Sequence, residues 1–194
     1  MRAFLMEVRT TRNYFLTTDR LGFGIWGQED IEDAVALWED PDVTRYIVAG
    51  GVMDRVQIKA RLQKEIDTYA RHHIQYWPAY LLETGELAGC CGLRPYDAEK
   101  DILEMGVHLK KKYWGLGLAA EACRAAILYS FEKLGAQALF AGHNPDNSAS
   151  AKMLTRLGFT YTHDEYYPPT GMNHPSYLLK KDDFIQQHEF RLKD

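Results

Sequence analysis

Asp101-Ile-Leu-Glu-Met-Gly-Val-His-Leu-Lys-Lys-Lys-Tyr-Trp-Gly-Leu-Gly-Leu-Ala-Ala-Glu-Ala122 decides how the rest of this chain is read. Ile102, Leu103, Met105, Val107 and Leu109 form a mostly apolar run of buried-strand length, and from Gly117 onward the apolar positions fall at helical spacing instead. The segment is therefore strand, basic loop, helix. Gly115 and Gly117 let the backbone turn tightly and approach a ligand, and the helix that follows presents unsatisfied N–H groups and the positive end of its dipole. Lys110, Lys111 and Lys112 add positive charge within a chain whose formal net charge is −4. The anion expected at such a loop is a phosphate or pyrophosphate.

Gly115-x-Gly117-x-x-Ala120 matches the dinucleotide-binding pattern G-x-G-x-x-G/A. A dinucleotide fold runs its strand almost directly into the first glycine and places an acidic residue about 20 residues further on for the ribose hydroxyls. Here five residues separate Leu109 from Gly115, and the next strand-like segment, Ala138-Leu-Phe-Ala-Gly-His-Asn144, ends without a carboxylate. Dinucleotide binding rests on the glycine spacing alone. The pattern G-x-x-x-x-G-K-[ST] does not occur, which argues against a nucleoside-triphosphate P-loop.

Tyr113-Trp-Gly-Leu-Gly-Leu-Ala-Ala-Glu-Ala122 is similar to the acetyl-CoA loop of the GNAT superfamily of N-acetyltransferases, especially the branch that includes the ribosomal-protein N-terminal acetyltransferases. Two further blocks resemble the same branch. Asn147-Ser-Ala-Ser150 followed by Leu157-Gly-Phe159 is similar to the block N-x-x-S…L-G-F, and Thr18-Asp-Arg-Leu21 resembles the E/T-x-R-L entry into the first strand. The resemblance implies acetyl-CoA as co-substrate, with Lys112, Tyr113, Trp114, Gly115, Leu116, Gly117, Leu118 and Ala119 around its pyrophosphate. It also implies backbone N–H groups near Leu109 at the thioester carbonyl and Asn147 on the pantetheine arm. Ser150 then lies near the sulfur, where its hydroxyl or a water supplies a proton. Two positions depart from the pattern: Lys112 stands where Gln or Arg is usual, and Leu154 where many members carry a tyrosine acid. That acid is not carried over.

Acetyl transfer to an amine needs a neutral nucleophile, hydrogen bonds to the thioester oxygen and a proton for the leaving thiolate. Glu104 is the first candidate base, because the family often has an acidic residue at this point of the strand and desolvation between Leu103 and Met105 raises a carboxylate pKa. The competing reading is a paired, structural glutamate. His108 shares the strand face of Glu104 and titrates near neutrality, against the competing reading of a packed, hydrogen-bonded ring. Tyr161, Tyr166 and Tyr167, with Pro168 and Pro169, read as an aromatic loop that either lines an acceptor cleft or packs loosely. The adjacent His72 and His73 point apart and lack spaced partners, so no metal is expected.

The 194 residues fit one domain, 1–194, with 1–17 as a possible N-terminal arm. The net charge argues against a nucleic-acid binder that works by general electrostatics. Cys90, Cys91 and Cys123 imply no disulfide framework, which fits a reducing cytoplasm. No secretory h-region and no run of 18 apolar residues occurs, so a soluble protein away from the membrane is expected, monomer or homodimer.

Along the chain, 21–26 reads as a first strand, 28–40 as a short helix stopped by Pro41, and 54–71 as a helix opened by the capping box Asp54-x-x-Gln57. Strands are expected at 79–83 and 86–93 around a Thr84-Gly85 hairpin, with Pro78 pushing the first towards an edge or a late start. The helix after the loop is closed by Gly135, and a strand at 137–143, a helix at 147–157 and strands at 159–163 and 176–180 follow. The order βααβββαβαββ is α/β with a mixed, mostly antiparallel sheet flanked by helices, as in the GNAT fold. The function expected is transfer of acetyl from acetyl-CoA to a primary amine, either a protein N-terminal α-amine or a small molecule. A non-catalytic acyl-CoA-binding module is the alternative of the same fold.

Overall fold

The computed structural model describes residues 12–191. Its strands are β1 (Leu16–Thr17), β2 (Leu21–Phe23), β3 (Tyr76–Leu81), β4 (Leu87–Asp97), β5 (Ile102–Leu109), β6 (Ala138–Gly142), β7 (Thr160–Tyr167) and β8 (Met172–Lys180). They form one sheet in the order β1-β2-β3-β4-β5-β6-β8-β7, antiparallel throughout except between β5 and β6. The helices are α1 (Ile31–Trp38), α2 (Pro41–Thr44), α3 (Arg55–His72), α4 (Leu118–Glu132), α5 (Ser148–Arg156) and α6 (Lys181–Arg191).

The central strands read as unbroken apolar runs because both faces of the sheet are covered. Neighbouring residues feed different cores: Tyr76, Tyr80 and Cys90 pack with Trp38, Ile58 and Leu62 on the α1–α3 face, while Trp77, Ala79 and Cys91 pack with Cys123 and Ile127 of α4 on the other. α3 presents Ile58, Leu62 and Glu65 to the sheet from behind the expected capping box, in which Asp54 accepts from the Gln57 N–H at 2.8 Å and Gln57 from the Asp54 N–H at 2.9 Å. Burying each aliphatic residue of that stripe contributes about 1.5–3 kcal/mol. A carboxylate on the same stripe needs a separate explanation.

Several expected boundaries move. The arm expected over 1–17 lies outside the described residues as far as residue 11, but Leu16 and Thr17 already form a strand against Phe23 and Gly22. Pro41 ends α1 and also opens α2 at its first turn, where a missing N–H costs nothing. Pro78 lies inside β3, paired with Cys90. Its carbonyl accepts from the Gly24 N–H at 3.0 Å, so its missing N–H faces the side on which β2 has already stopped. The strand expected over 159–163 is β7, with Tyr161 on it, but it runs further: Tyr166 and Tyr167, expected in a loop, also belong to β7, which pairs with β8, and only the turn at Pro168–Gly171 is loop. The helix α6 has no counterpart in the sequence reading.

The feature that makes a site is a divergence. β5 and β6 pair in parallel at only three positions, Ile102↔Ala138, Leu103↔Leu139 and Glu104↔Phe140. Beyond Glu104 the two strands part, while β5 stays paired to β4 as far as Gly89↔Leu109. This leaves a notch in the middle of the sheet, with α4 starting at its mouth.

Candidate active site

On the α4 side the site is built from backbone. β5 closes where the Lys110 N–H donates to Ala88 O at 3.0 Å, a short 3-10 turn covers Lys111–Tyr113, and the Trp114 indole N–H returns to Leu109 O at 2.9 Å. Gly115 and Gly117 then take φ +76° and +78°, a region open to glycine and strained for other L-residues. Gly117 caps α4 with no side-chain partner, so the N–H groups of the first turn are left to a ligand. A Cβ at Gly115 would meet nothing within 4 Å, and one at Gly117 only the tip of Arg20 at 3.6 Å. The glycines keep space open above the loop.

Thr18 and Arg20, found in sequence as part of a motif, hold this loop from behind. Arg20 donates to Leu116 O at 2.9 Å and to Glu121 at 2.7 Å, and the Thr18 hydroxyl donates to Glu121 at 2.6 Å. Burial pushes the Glu121 carboxyl up, but these donors outweigh it and hold the pKa below its ordinary value. The lysine triplet is less available than its spacing implied. Lys111 pairs with Asp42 at 3.0 Å, and Lys112 pairs with Glu86, which also accepts from Tyr113 at 2.7 Å. Lys110 has no ion-pair partner among the described residues, and burial followed by the Lys112 charge lowers its pKa. Two of the three lysine charges are thus held by carboxylates, and the start of α4 adds its own positive end at the loop.

Antiparallel ladders alternate the direction of backbone groups along a strand. Since Lys110 donates towards β4, the N–H groups of Leu109 and Val107 point away from it, into the notch left by β6. They have no ladder partner there among the described residues. These are fixed donors beside a glycine loop, where a carbonyl that gains negative charge would be stabilised.

At the other end of β5, Glu104 opens onto a cleft of about 660 Å³ between α3, the end of β4 and the turn of β7–β8, with Lys64, Arg94, Tyr167 and Pro169 in its walls. Glu104 is half-buried, and its Oε1 accepts from the Tyr76 hydroxyl at 2.8 Å. Tyr76 reaches it across Gly106: a Cβ there would lie 2.3 Å from the phenol ring and its oxygen. Burial and the adjacent Glu104 push the Tyr76 pKa well up, so the phenol remains a donor. The sequence reading missed Tyr76; a glycine inside a strand, between Glu104 and His108, was its one signal.

Behind this carboxylate lies a second. Glu65 is fully buried, bonds Arg94, accepts from the Tyr76 N–H at 3.0 Å and has Arg61 at 3.9 Å. Arg94 lies over the Tyr76 ring at 4.1 Å and is the register partner of Glu104. An isolated glutamate on the buried stripe of α3 and an isolated arginine ending an apolar strand were their signals. The sequence reading used neither.

His108 shares the face of Glu104 but not its surroundings. Its Nδ1 accepts from the Trp38 indole N–H at 3.2 Å, with Cys90 Sγ at 3.6 Å, and burial followed by the charges of Arg61 and Arg94 pushes its pKa well below the ordinary value. The neutral ring has its lone pair occupied and is placed as a packing and hydrogen-bonding group.

Asn147 caps α5, its Oδ1 accepting the Ser150 N–H at 3.2 Å, and the half-buried Ser150 follows within the first turn. Leu154 is buried in the core between helix and sheet, where a hydrophobe is required and a proton donor would be isolated. Tyr161 and Tyr166 are exposed on β7, whereas Tyr167 turns into the cleft beside Glu104. His73 ends α3 at φ 57°, and His72 lies at the cleft wall. Among the described residues no group of His, Cys, Asp and Glu could hold a metal ion, and no helix is long and apolar enough to cross a membrane.

Fold and loop together define an acetyltransferase of the acetyl-CoA-dependent class, and comparison with known proteins agrees. The family model described as an acetyltransferase (GNAT) domain matches residues 20–160. A Bacillus licheniformis protein named "Uncharacterized N-acetyltransferase p20" is 31% identical over 74% of this chain and 81% of its own length. The crystal structure of a GNAT-family acetyltransferase from Bacillus anthracis superposes with a TM-score of 0.73 at 21% identity, covering 86% of this chain and 98% of that one. The ribosomal L7/L12 α-N-protein acetyltransferase RimL, solved with coenzyme A, superposes with a TM-score of 0.72 at 14% identity, covering 86% and 97%. This chain belongs to the GNAT family of acetyltransferases.

Proposed function

We propose that the protein transfers acetyl from acetyl-CoA to a primary amine, a small molecule or a protein N-terminal α-amine, that enters the cleft between α3 and the β7–β8 hairpin. One observation carries this reading: a single strand, β5, runs from Glu104 in that cleft to the open N–H groups of Val107 and Leu109 beside the glycine loop. Acetyl-CoA supplies an activated thioester carbonyl. The N–H groups from Gly115 to Ala119 and the start of α4 hold its pyrophosphate, with Tyr113 and Trp114 shaping the loop, and Asn147 bonds the pantetheine arm. Lys112 supports the loop through Glu86.

Glu104 takes the proton of the acceptor ammonium, and the Tyr76 hydroxyl keeps the carboxylate oriented while leaving one oxygen free. Leu109 N–H stabilises the oxygen on which charge develops. Ser150 supplies a proton towards the departing sulfur. His108 positions the strand through Trp38 and is not assigned the base role. The three cysteines are buried and unlinked, which supports a reducing compartment such as the cytoplasm for this enzyme.

Turnover of acetyl-CoA with a panel of primary amines tests the reading. Glu104→Gln should lower kcat/KM at least about 100-fold and remove the rising limb of its pH profile, while calorimetry shows unchanged CoA affinity. If Glu104→Gln keeps the wild-type profile, the limb belongs to the substrate amine and Glu104 is not the base.

A further inference from the structure

The acceptor cleft has charges that its own protein groups do not settle. Glu104 on its floor is bonded to Tyr76, and Asp67 on its wall accepts from Gln63 at 2.7 Å. The remaining carboxylate nearby, Glu65, lies behind the wall with Arg94, Arg61 and the Tyr76 N–H already on its two oxygens. On the cationic side, Lys64 and Arg71 of α3 face the same cleft, and neither has an ion-pair partner among the described residues. The Arg94 side chain is only 10% exposed, and its Nε–H is buried with no hydrogen-bond partner. The exposed edge of the guanidinium, rather than this buried donor, is what a ligand in the cleft can meet. Repulsion from Arg94, then burial and Arg61, lowers the Lys64 pKa against the pull of Glu65 and Glu104.

These groups have a definite layout. Arg94 and Glu104 are register partners on β4 and β5, so a cation and an anion stand side by side on the cleft floor, with Lys64 above them on α3. Directly opposed side chains of such a pair are about 5 Å apart at Cβ. Resting on the acetyltransferase reading, we propose that the acceptor is a small aminocarboxylate, its amine against Glu104 and its carboxylate on Lys64 and the edge of Arg94. A cleft of about 660 Å³ holds such a molecule with room for water. A peptide whose N-terminal residue has an acidic side chain presents the same two charges, and the test separates the two sources.

The full chain is assayed by CoA release and product mass with β-alanine and 4-aminobutyrate, each against its carboxamide, and with a short peptide beginning in aspartate against one beginning in asparagine. Lys64, exposed on α3, is the residue to change, because removing Arg94 would strand the buried Glu65 charge and endanger folding. Wild type should favour at least one carboxylate over its carboxamide by at least about tenfold in kcat/KM. Lys64→Met should erase that preference through KM for the carboxylate, with the carboxamide rate unchanged. A preference confined to the aspartate peptide supports the charge recognition and assigns it to a polypeptide acceptor. Equal use of carboxylates and carboxamides, or an equal fall for both in Lys64→Met, overturns the inference and leaves acetyl transfer standing. Binding of CoA without transfer to any amine overturns the reading of function and this inference together.

Discussion

The two ends of β5 are built by different means. At Leu109 the site consists of main-chain groups: N–H donors on an open strand edge, two left-handed glycines and a helix start, all within one stretch of chain. At Glu104 it consists of side chains delivered from four places: Glu65 from α3, Tyr76 from β3, Arg94 from β4 and Tyr167 from β7. In the proposed function, the group common to every acyl-CoA is met by backbone that any suitable loop can supply, whereas the acceptor, which differs between enzymes, is met by side chains that can change one at a time. Backbone recognition would then serve the constant substrate and side-chain recognition the variable one.

The sharpest way to break this contrast is at the strand pair that both ends share. A Cβ at Gly89 would lie 2.0 Å from His108 O and 2.8 Å from Leu109 Cα, both backbone atoms that cannot swing aside. Gly89→Ala is expected to cost at least about 3 kcal/mol of stability, read as a lowered denaturation midpoint. A midpoint like wild type would mean that the two strands tolerate separation, and that one rigid strand does not link donor and acceptor.

Next in size is the loop itself. Gly117→Val places a branched side chain at φ +78° and disturbs the amides at the start of α4. Calorimetry should show CoA affinity falling at least tenfold, about 1.4 kcal/mol, while acceptor discrimination among the amines that still react is preserved. Changed discrimination would show that the two ends are not separable.

His108 sharpens the contrast through pH. Its folded pKa lies below the unfolded value of about 6.5, so below that pH the unfolded chain binds a proton that the folded one refuses. Stability should therefore fall as pH drops from 6.5 towards the folded pKa, by up to about 1.4 kcal/mol per pH unit from this group. His108→Gln should be less stable at pH 7.5, having lost the Trp38 bond, yet show a shallower decline between pH 6.5 and 5. An unaltered acid slope would remove His108 as its source.

The smallest effect is expected behind the loop. Arg20→Met removes the bonds to Leu116 O and Glu121 but leaves the amides and glycines in place. KM for acetyl-CoA should rise about three- to tenfold with kcat little changed, since only positioning is loosened. A fall in kcat alone would place Arg20 nearer the chemistry than its contacts do.

How much of this was legible in the sequence follows the same division. The loop from Lys110 to Gly117, the helix cap at Asp54 and the Thr84-Gly85 turn could be read because their hydrogen bonds join residues a few positions apart. Glu104 could be placed on its strand, but its partner Tyr76 is 28 residues away and announced only by Gly106. Pro78 misled because a strand neighbour that stops early is invisible in one segment. Tyr166 and Tyr167 misled because how far β7 extends depends on its pairing with β8, not on local turn chemistry.

By itself, the sequence determined what short-range physics can settle: the periodicities, the caps, the left-handed glycines and the anion-seeking helix start. The tertiary structure decided the rest. It set the parting of β5 from β6 after Glu104, the turning of Lys111 and Lys112 onto Asp42 and Glu86, and the burial of Glu65 under Arg94. Each depends on which distant groups share a low-dielectric space or a ladder register, and a charge or backbone donor acquires its role only when those neighbours are in place.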